Sequence, residues 1–127
     1  MKSPRQQIYD LVFSRLIELG FTVYDKLPAE QVPYPFIVIK QGESDYQNRH
    51  KFNREMGISL VVDTWYLSDE RGAHDEAMTR IEHSFFDFFL LDGYSVKLRE
   101  IRTSELVDRT TNDELLHGTI KVSYTVN

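Results

Sequence analysis

The sequence predicts an α+β domain: two helices packed on a mostly antiparallel sheet, in the order helix, two strands, helix, two strands, with long polar loops. Three observations predict it. Two stretches, opening at Ser3 and near Ser68, space their apolar residues at the helical period of about 3.6. Two others, Met56–Leu67 and Gly118–Val126, alternate apolar and polar residues at the strand period of two. The chain has 127 residues, the size of one domain spanning 1–127, which buries about two thirds of its unfolded surface without covalent staples.

Ser3-Pro4-Arg5-Gln6 reads as a helix start, with Ser3 as N-cap, Pro4 at the first helical position and Gln6 closing a capping box. Ile8, Tyr9, Val12, Phe13, Leu16 and Leu19 share one broad face, and Gly20 is placed to end the helix in the left-handed conformation. A short β-leaning piece, Phe21–Asp25, leads into a segment kept extended by Pro28, Pro33 and Pro35. Phe36-Ile37-Val38-Ile39 is a brief apolar strand, and Gly42–Asn53 reads as a long loop or a hairpin arm. In Met56–Leu67, Ile58, Leu60 and Val62 alternate with Ser59, Val61 and Asp63, which suits the centre of the sheet. Ser68 or Asp69 caps a second helix through about Leu91, with Ala77, Met78, Ile81, Phe85, Phe88 and Phe89 as its buried stripe. Asp92-Gly93 is a turn, Tyr94, Val96 and Leu98 begin another strand, and Thr103–Leu116 is polar enough for a loop. The last strand presents Ile120, Val122, Tyr124 and Val126 on one face.

Composition excludes several classes of function. There are no cysteines, so disulfides, thiolate metal sites and cysteine nucleophiles are all ruled out. The first residues lack the apolar run of a signal peptide, and no apolar window approaches the roughly 20 residues that span a bilayer. A soluble protein that stays where it is made is the expectation. A net charge of −5 with interspersed signs argues against a dedicated nucleic-acid binder, which needs a positive surface.

No motif predicts catalysis or a cofactor. His74 and His83 stand nine residues apart on the second helix, so at about 100° per residue they face opposite sides and cannot share a metal. No phosphate-binding glycine loop or nucleophile elbow occurs. His83 and Asp87, one turn apart, form at most an exposed pair with no nucleophile placed to use it. Trp65 and Tyr66 read as core rather than as a ligand pocket.

Two features point outward. Phe86 and Leu90 lie about 140° and 180° from Ile81 around the second helix, outside the core stripe and one turn from each other. They read either as a subunit contact or as a helix end that bends inward. Tyr46, Arg49, His50, Lys51 and Arg54 form the only basic cluster with aromatic company. It is either a solvated hairpin arm or a contact for an acidic protein or a nucleic acid. A small binding module acting through this 46–54 arm is therefore the alternative to a purely structural role.

The order of segments carries a resemblance. Val23-Tyr24-Asp25-Lys26-Leu27-Pro28 leads to Pro33-Tyr34-Pro35-Phe36-Ile37-Val38-Ile39. The long strand then ends in Val62-Asp63-Thr64-Trp65, and the chain closes with His117-Gly118-Thr119-Ile120-Lys121-Val122-Ser123-Tyr124-Thr125-Val126. This resembles the tail-completion, or tail-to-head joining, family of long-tailed bacteriophages, and in element order the tail terminators. The resemblance implies a subunit without catalytic residues or cofactor that assembles as a ring, typically a hexamer, at the head-proximal end of the tail tube. It implies as partners further copies of itself, the tail-tube protein and the head-connector or stopper protein, with DNA passing through the lumen unread and no membrane. It implies a place in the virion tail, after assembly in the cytoplasm of a host bacterium.

Overall fold

The computed structural model describes residues 2–50, 53–87 and 91–127, with the backbone alone at 47–50, 53 and 54. Helix α1 is Pro4–Glu18 and α2 is Arg71–Ser84. The strands are β1 (Val23–Tyr24), β2 (Phe36–His50), β3 (Asn53–Leu67), β4 (Val96–Asp108) and β5 (Leu115–Val126). They form one sheet in the order β1-β2-β3-β5-β4. The two-residue β1 runs parallel to β2, and every other pairing is antiparallel. Two helices on a mostly antiparallel sheet is the architecture that the periodicities predict, with β1 added at the margin.

Helix α1 starts as its sequence dictates. The Ser3 hydroxyl accepts from the Gln6 amide at 3.2 Å, and Pro4 occupies a position whose missing N–H costs nothing. The reciprocal half of the capping box is not formed, because the Gln6 side chain donates to Asp10 at 2.9 Å instead. Gly20 follows the C-cap Leu19 with a φ of 97°, where a side chain would be strained. The Arg80 guanidinium then donates to the Leu19 carbonyl at 2.7 Å, tying the end of α1 to α2.

Both helices cover the same face of the sheet. Ile8, Val12 and Leu16 of α1 and Met78 and Ile81 of α2 meet Ile37, Ile39, Leu60, Val62, Ile120 and Val122 of the central strands. Removing each such side chain from water stabilises by about 1.5–3 kcal/mol. Tyr124 is buried in the same layer, and desolvation pushes its phenol well above the ordinary range.

Of the two readings of Gly42–Asn53, the hairpin arm is the one the structure takes, since β2 continues to His50 and β3 begins at Asn53. Two other boundaries differ from the sequence expectation. Thr103–Leu116 is mostly strand: β4 runs to Asp108 and pairs with β5 from Leu115 onward. Its polarity marks an outermost strand, most of whose side chains stay in contact with water, although Glu105 on its helix side meets Arg71 and His74 of α2. Helix α2 ends at Ser84, with Phe85 as C-cap, and its N-cap is Glu70 rather than Ser68 or Asp69, without a side-chain hydrogen bond. Phe88 and Phe89 lie outside the described residues.

One close approach sets the position of α2. A Cβ on Gly118 of β5 would stand 2.5 Å from Thr64 Oγ1, 2.7 Å from Met78 Sδ and 2.9 Å from His74 Nε2. His74, fully buried, sits in the space this glycine leaves. Its Nδ1 lies 2.7 Å from Glu105 Oε2, and its Nε2 lies 2.6 Å from the Thr64 hydroxyl. The Nδ1 contact is an approach of opposite polarity rather than a well-angled hydrogen bond, and a ring protonated there leaves Nε2 to accept from Thr64, so the neutral form fits the site. Burial pulls the His74 pKa below its ordinary value, and the Glu105 carboxylate opposes part of that shift.

Two outcomes follow from this junction. Gly118→Ala is expected to cost about 1–3 kcal/mol, as overpacked cores do, and urea denaturation measures it. His74 has a lowered native pKa, so below about pH 6.5 the unfolded chain binds its proton more readily than the native one. Stability from this group is complete above that pH and declines as the pH falls toward the native value. Urea midpoints measured between pH 8 and 5 should show this slope in the parent chain and a shallower one in His74→Gln.

Candidate functional site

The face of the sheet away from the helices has no helical cover, and its side chains line up in rows across the strands. The antiparallel register sets Phe36 beside Trp65, Trp65 beside His117, and His117 beside Leu106. The next row is Val38, Asp63, Thr119 and Ser104. Alternation along β3 and β5 thus delivers Ile58, Leu60 and Val62 to the core while turning Asp63 and Trp65 the other way.

In the first row the rings stack side by side. Tyr34 lies 5.6 Å from Phe36, Phe36 5.2 Å from Trp65, and Trp65 4.5 Å from His117, the last pair within 11° of parallel. Offset stacks of this kind contribute about 0.5–1.5 kcal/mol per pair beyond area burial. In the second row Asp63 is almost fully buried and acts as a hub. Its Oδ1 accepts from His117 Nε2 at 3.0 Å and from the Thr119 hydroxyl at 3.2 Å. Its Oδ2 faces the Lys40 ammonium at 2.8 Å, a charge contact rather than a well-angled hydrogen bond. A carboxylate so enclosed needs such partners, because burying it alone would be prohibitive.

Above the aromatic row lies an open cavity of about 580 Å³. Residues 27–34 form one wall and the connection around 108–113 forms the other, with Phe36, Trp65 and His117 as the floor. Glu30, Asp108 and Asp113 line it, and no lysine or arginine among the described residues does. Asp108 Oδ1 accepts from both the amide and the hydroxyl of Thr110, at 2.8 and 2.6 Å. The Thr110 hydroxyl first, then the amide, holds this carboxyl below the ordinary range.

The Asp63–His117 pair has the form that orients an imidazole in general-base chemistry, so its surroundings decide its use. The threonine hydroxyls that line the cavity already have partners. Thr110 Oγ1 donates to Asp108, and Thr111 Oγ1 donates to the Asp113 carbonyl at 2.6 Å. No group of three or more His, Asp or Glu side chains among the described residues is arranged to hold a metal ion. No helix among them is long and apolar enough to cross a membrane. The recess thus offers apolar surface beside fixed carboxylates, and no poised nucleophile among the described residues.

The residues singled out from sequence fall in separate places. Phe86 is 65% exposed, but in the turn after α2 rather than on the helix from which its angle was reckoned, while Leu90 lies outside the described residues. Tyr46 is also 65% exposed on the arm. His50 and Arg54 belong to the arm's paired backbone, Arg49 sits at the register shift between Asn48 and His50, and Lys51 lies outside the described residues. His83 and Asp87 do not pair: the Asp87 carboxylate meets Arg15 of α1, and the His83 ring stands 6.1 Å from that of Phe86. Tyr66 is buried against the helices as expected, but Trp65 is not core, since it floors the cavity on the open face. The Asp63–His117 contact was missed because its partners are 54 residues apart. Its only sequence signal was two polar residues at strand positions that share a face.

No family model matches the chain, and no curated protein matches it. Similarity appears in the fold. A chain of the virion of a native gene transfer agent particle superposes with a TM-score of 0.51 at 14% identity, over 94% of this chain and 90% of that one. A second solved structure, of a protein without a functional name, superposes with a TM-score of 0.55 at 14% identity, over 97% and 89%. The fold of this chain is one also found in a virion component.

Proposed function

We propose that this protein is a structural component of a long-tailed phage or phage-like particle. It forms a ring, a hexamer by the family pattern, at the head-proximal end of the tail tube, where it ends tube growth and joins the tail to the head connector. The observation that carries the reading is the fold shared with a virion chain over nearly the whole of both lengths. The resemblance in segment order supports the finer placement.

Features of the surface support assembly. Phe86 is exposed beyond the end of α2, and Leu106 and Val107 are exposed on the outermost strand. The arm of β2 and β3 extends beyond the two-residue β1 and exposes Tyr46. Contacts around a ring are heterologous, one patch meeting a different patch on the next subunit, so outward features at separate places suit it. The neighbours in this role are the tail-tube protein and the connector or stopper. DNA passes through the lumen without being read, which suits a chain of net charge −5.

Light scattering coupled to size exclusion, with electron microscopy of tail tubes to which the protein has been added, tests both parts. Rings at one end of each tube are expected. Phe86→Asp removes a contact worth about 1.5–3 kcal/mol, so subunit association should weaken roughly tenfold to a hundredfold. Unchanged assembly of that variant would remove Phe86 from the interface, and tubes left bare at both ends would overturn the placement.

A further inference from the structure

The open-face cavity and the tip of the β2–β3 arm are complementary in charge and chemistry. The cavity has an apolar aromatic floor of Phe36, Trp65 and His117, with Glu30, Asp108 and Asp113 at its walls and no lysine or arginine among the described residues lining it. The stretch from Tyr46 to Arg54 reads Tyr-Gln-Asn-Arg-His-Lys-Phe-Asn-Arg, with three permanent cations, two aromatic rings and no acid. The two lie at opposite ends of the sheet. Trp65 pairs with Phe36 at the start of β2, while the arm closes at His50 and Asn53. Across the 15 residues of β2, at about 3.3 Å per residue, that separation is roughly 45 Å. A chain therefore cannot place its own arm tip in its own cavity.

We propose that the cavity is a receptor for the arm tip of a second copy of this chain. The guanidinium and ammonium groups of the incoming arm meet Asp108, Asp113 and Glu30. Their alkyl stems and the arm's rings cover the aromatic floor, as long cationic side chains do when they bury their stems and keep the head among charges. The contact is heterologous, arm to cavity, and it leaves the second copy's own cavity free for the next arm. It rests on the proposed self-assembly only in naming the occupant. Charge excludes the converse occupant, an acidic segment, which the three carboxylates would repel.

Trp65 is the only tryptophan of the chain and it floors the cavity. A synthetic peptide of residues 46–54 has no tryptophan, so a change in indole emission during titration into the full chain reports the cavity alone. Saturable binding that weakens with added salt is expected, with affinity lower by about tenfold for the Asp108→Asn/Asp113→Asn variant. A peptide with Arg49→Ala and Arg54→Ala should lose affinity similarly, and it leaves the protein untouched should the cavity variant misfold. No emission change, equal affinity for the doubly substituted peptide, or equal affinity for a scrambled peptide of the same composition would each overturn the proposal. Peptide binding to a chain that never forms rings would sustain it while removing the ring. Rings that form unchanged when the chain itself carries Arg49→Ala/Arg54→Ala would remove the arm contact and leave the ring.

Discussion

A sheet with helices on only one face must satisfy its other face by itself, and most of what distinguishes this chain follows from that constraint. The covered face is apolar except at the Thr64–His74–Glu105 junction, and α1 and α2 supply its complement. The other face carries Phe36, Trp65 and His117 in one row and Asp63 with Thr119 in the next. Stacking the rings across strands hides apolar surface without a second layer, and Lys40, His117 and Thr119 make a buried carboxylate tolerable there. The two rows support each other, since the imidazole that ends the stack also binds Asp63.

The helical side has its own restriction at Gly118. A strand residue without Cβ lets α2 come close enough for His74 to reach Thr64 of β3 and Glu105 of β4. One histidine so links the helix to strands on both sides of β5. The His117-Gly118 pair therefore serves both faces: the imidazole belongs to the open side, and the glycine opens room on the covered side. Adjacent strand positions point in opposite directions, so two consecutive residues can govern two unrelated layers.

Much of the fold was legible because its signals are local. The Ser3 cap, the Gly20 stop, the stripe from Ala77 to Phe85 and the alternation around Leu60 and Val122 each follow from residues within one or two turns of one another. Segments with a single neighbour were harder to read. Thr103–Asp108 looks like loop because polarity is what an outer strand needs, and pairing with β5 is a property of distant residues. The candidate site was hidden for the same reason. Asp63 and Trp65 register in sequence only as the outward positions of a strand. Their meeting with His117 depends on which strand lies beside β3 and in what register, and composition does not carry that information. Trp65 reads as core because an aromatic beside a buried Tyr66 usually is, yet one step along a strand reverses the side it faces.

The outer strand β4 carries a consequence for solubility. Its free margin is 13 residues long, long enough to template growth by any extended segment that meets it. Lys97, Arg99, Glu100, Arg102, Glu105 and Asp108 stud that length with charges of both signs. A passing strand would have to match or bury them, which guards the sheet against indiscriminate lengthening. The same polarity that made this strand look like a loop thus protects the polypeptide from fibre growth along its margin.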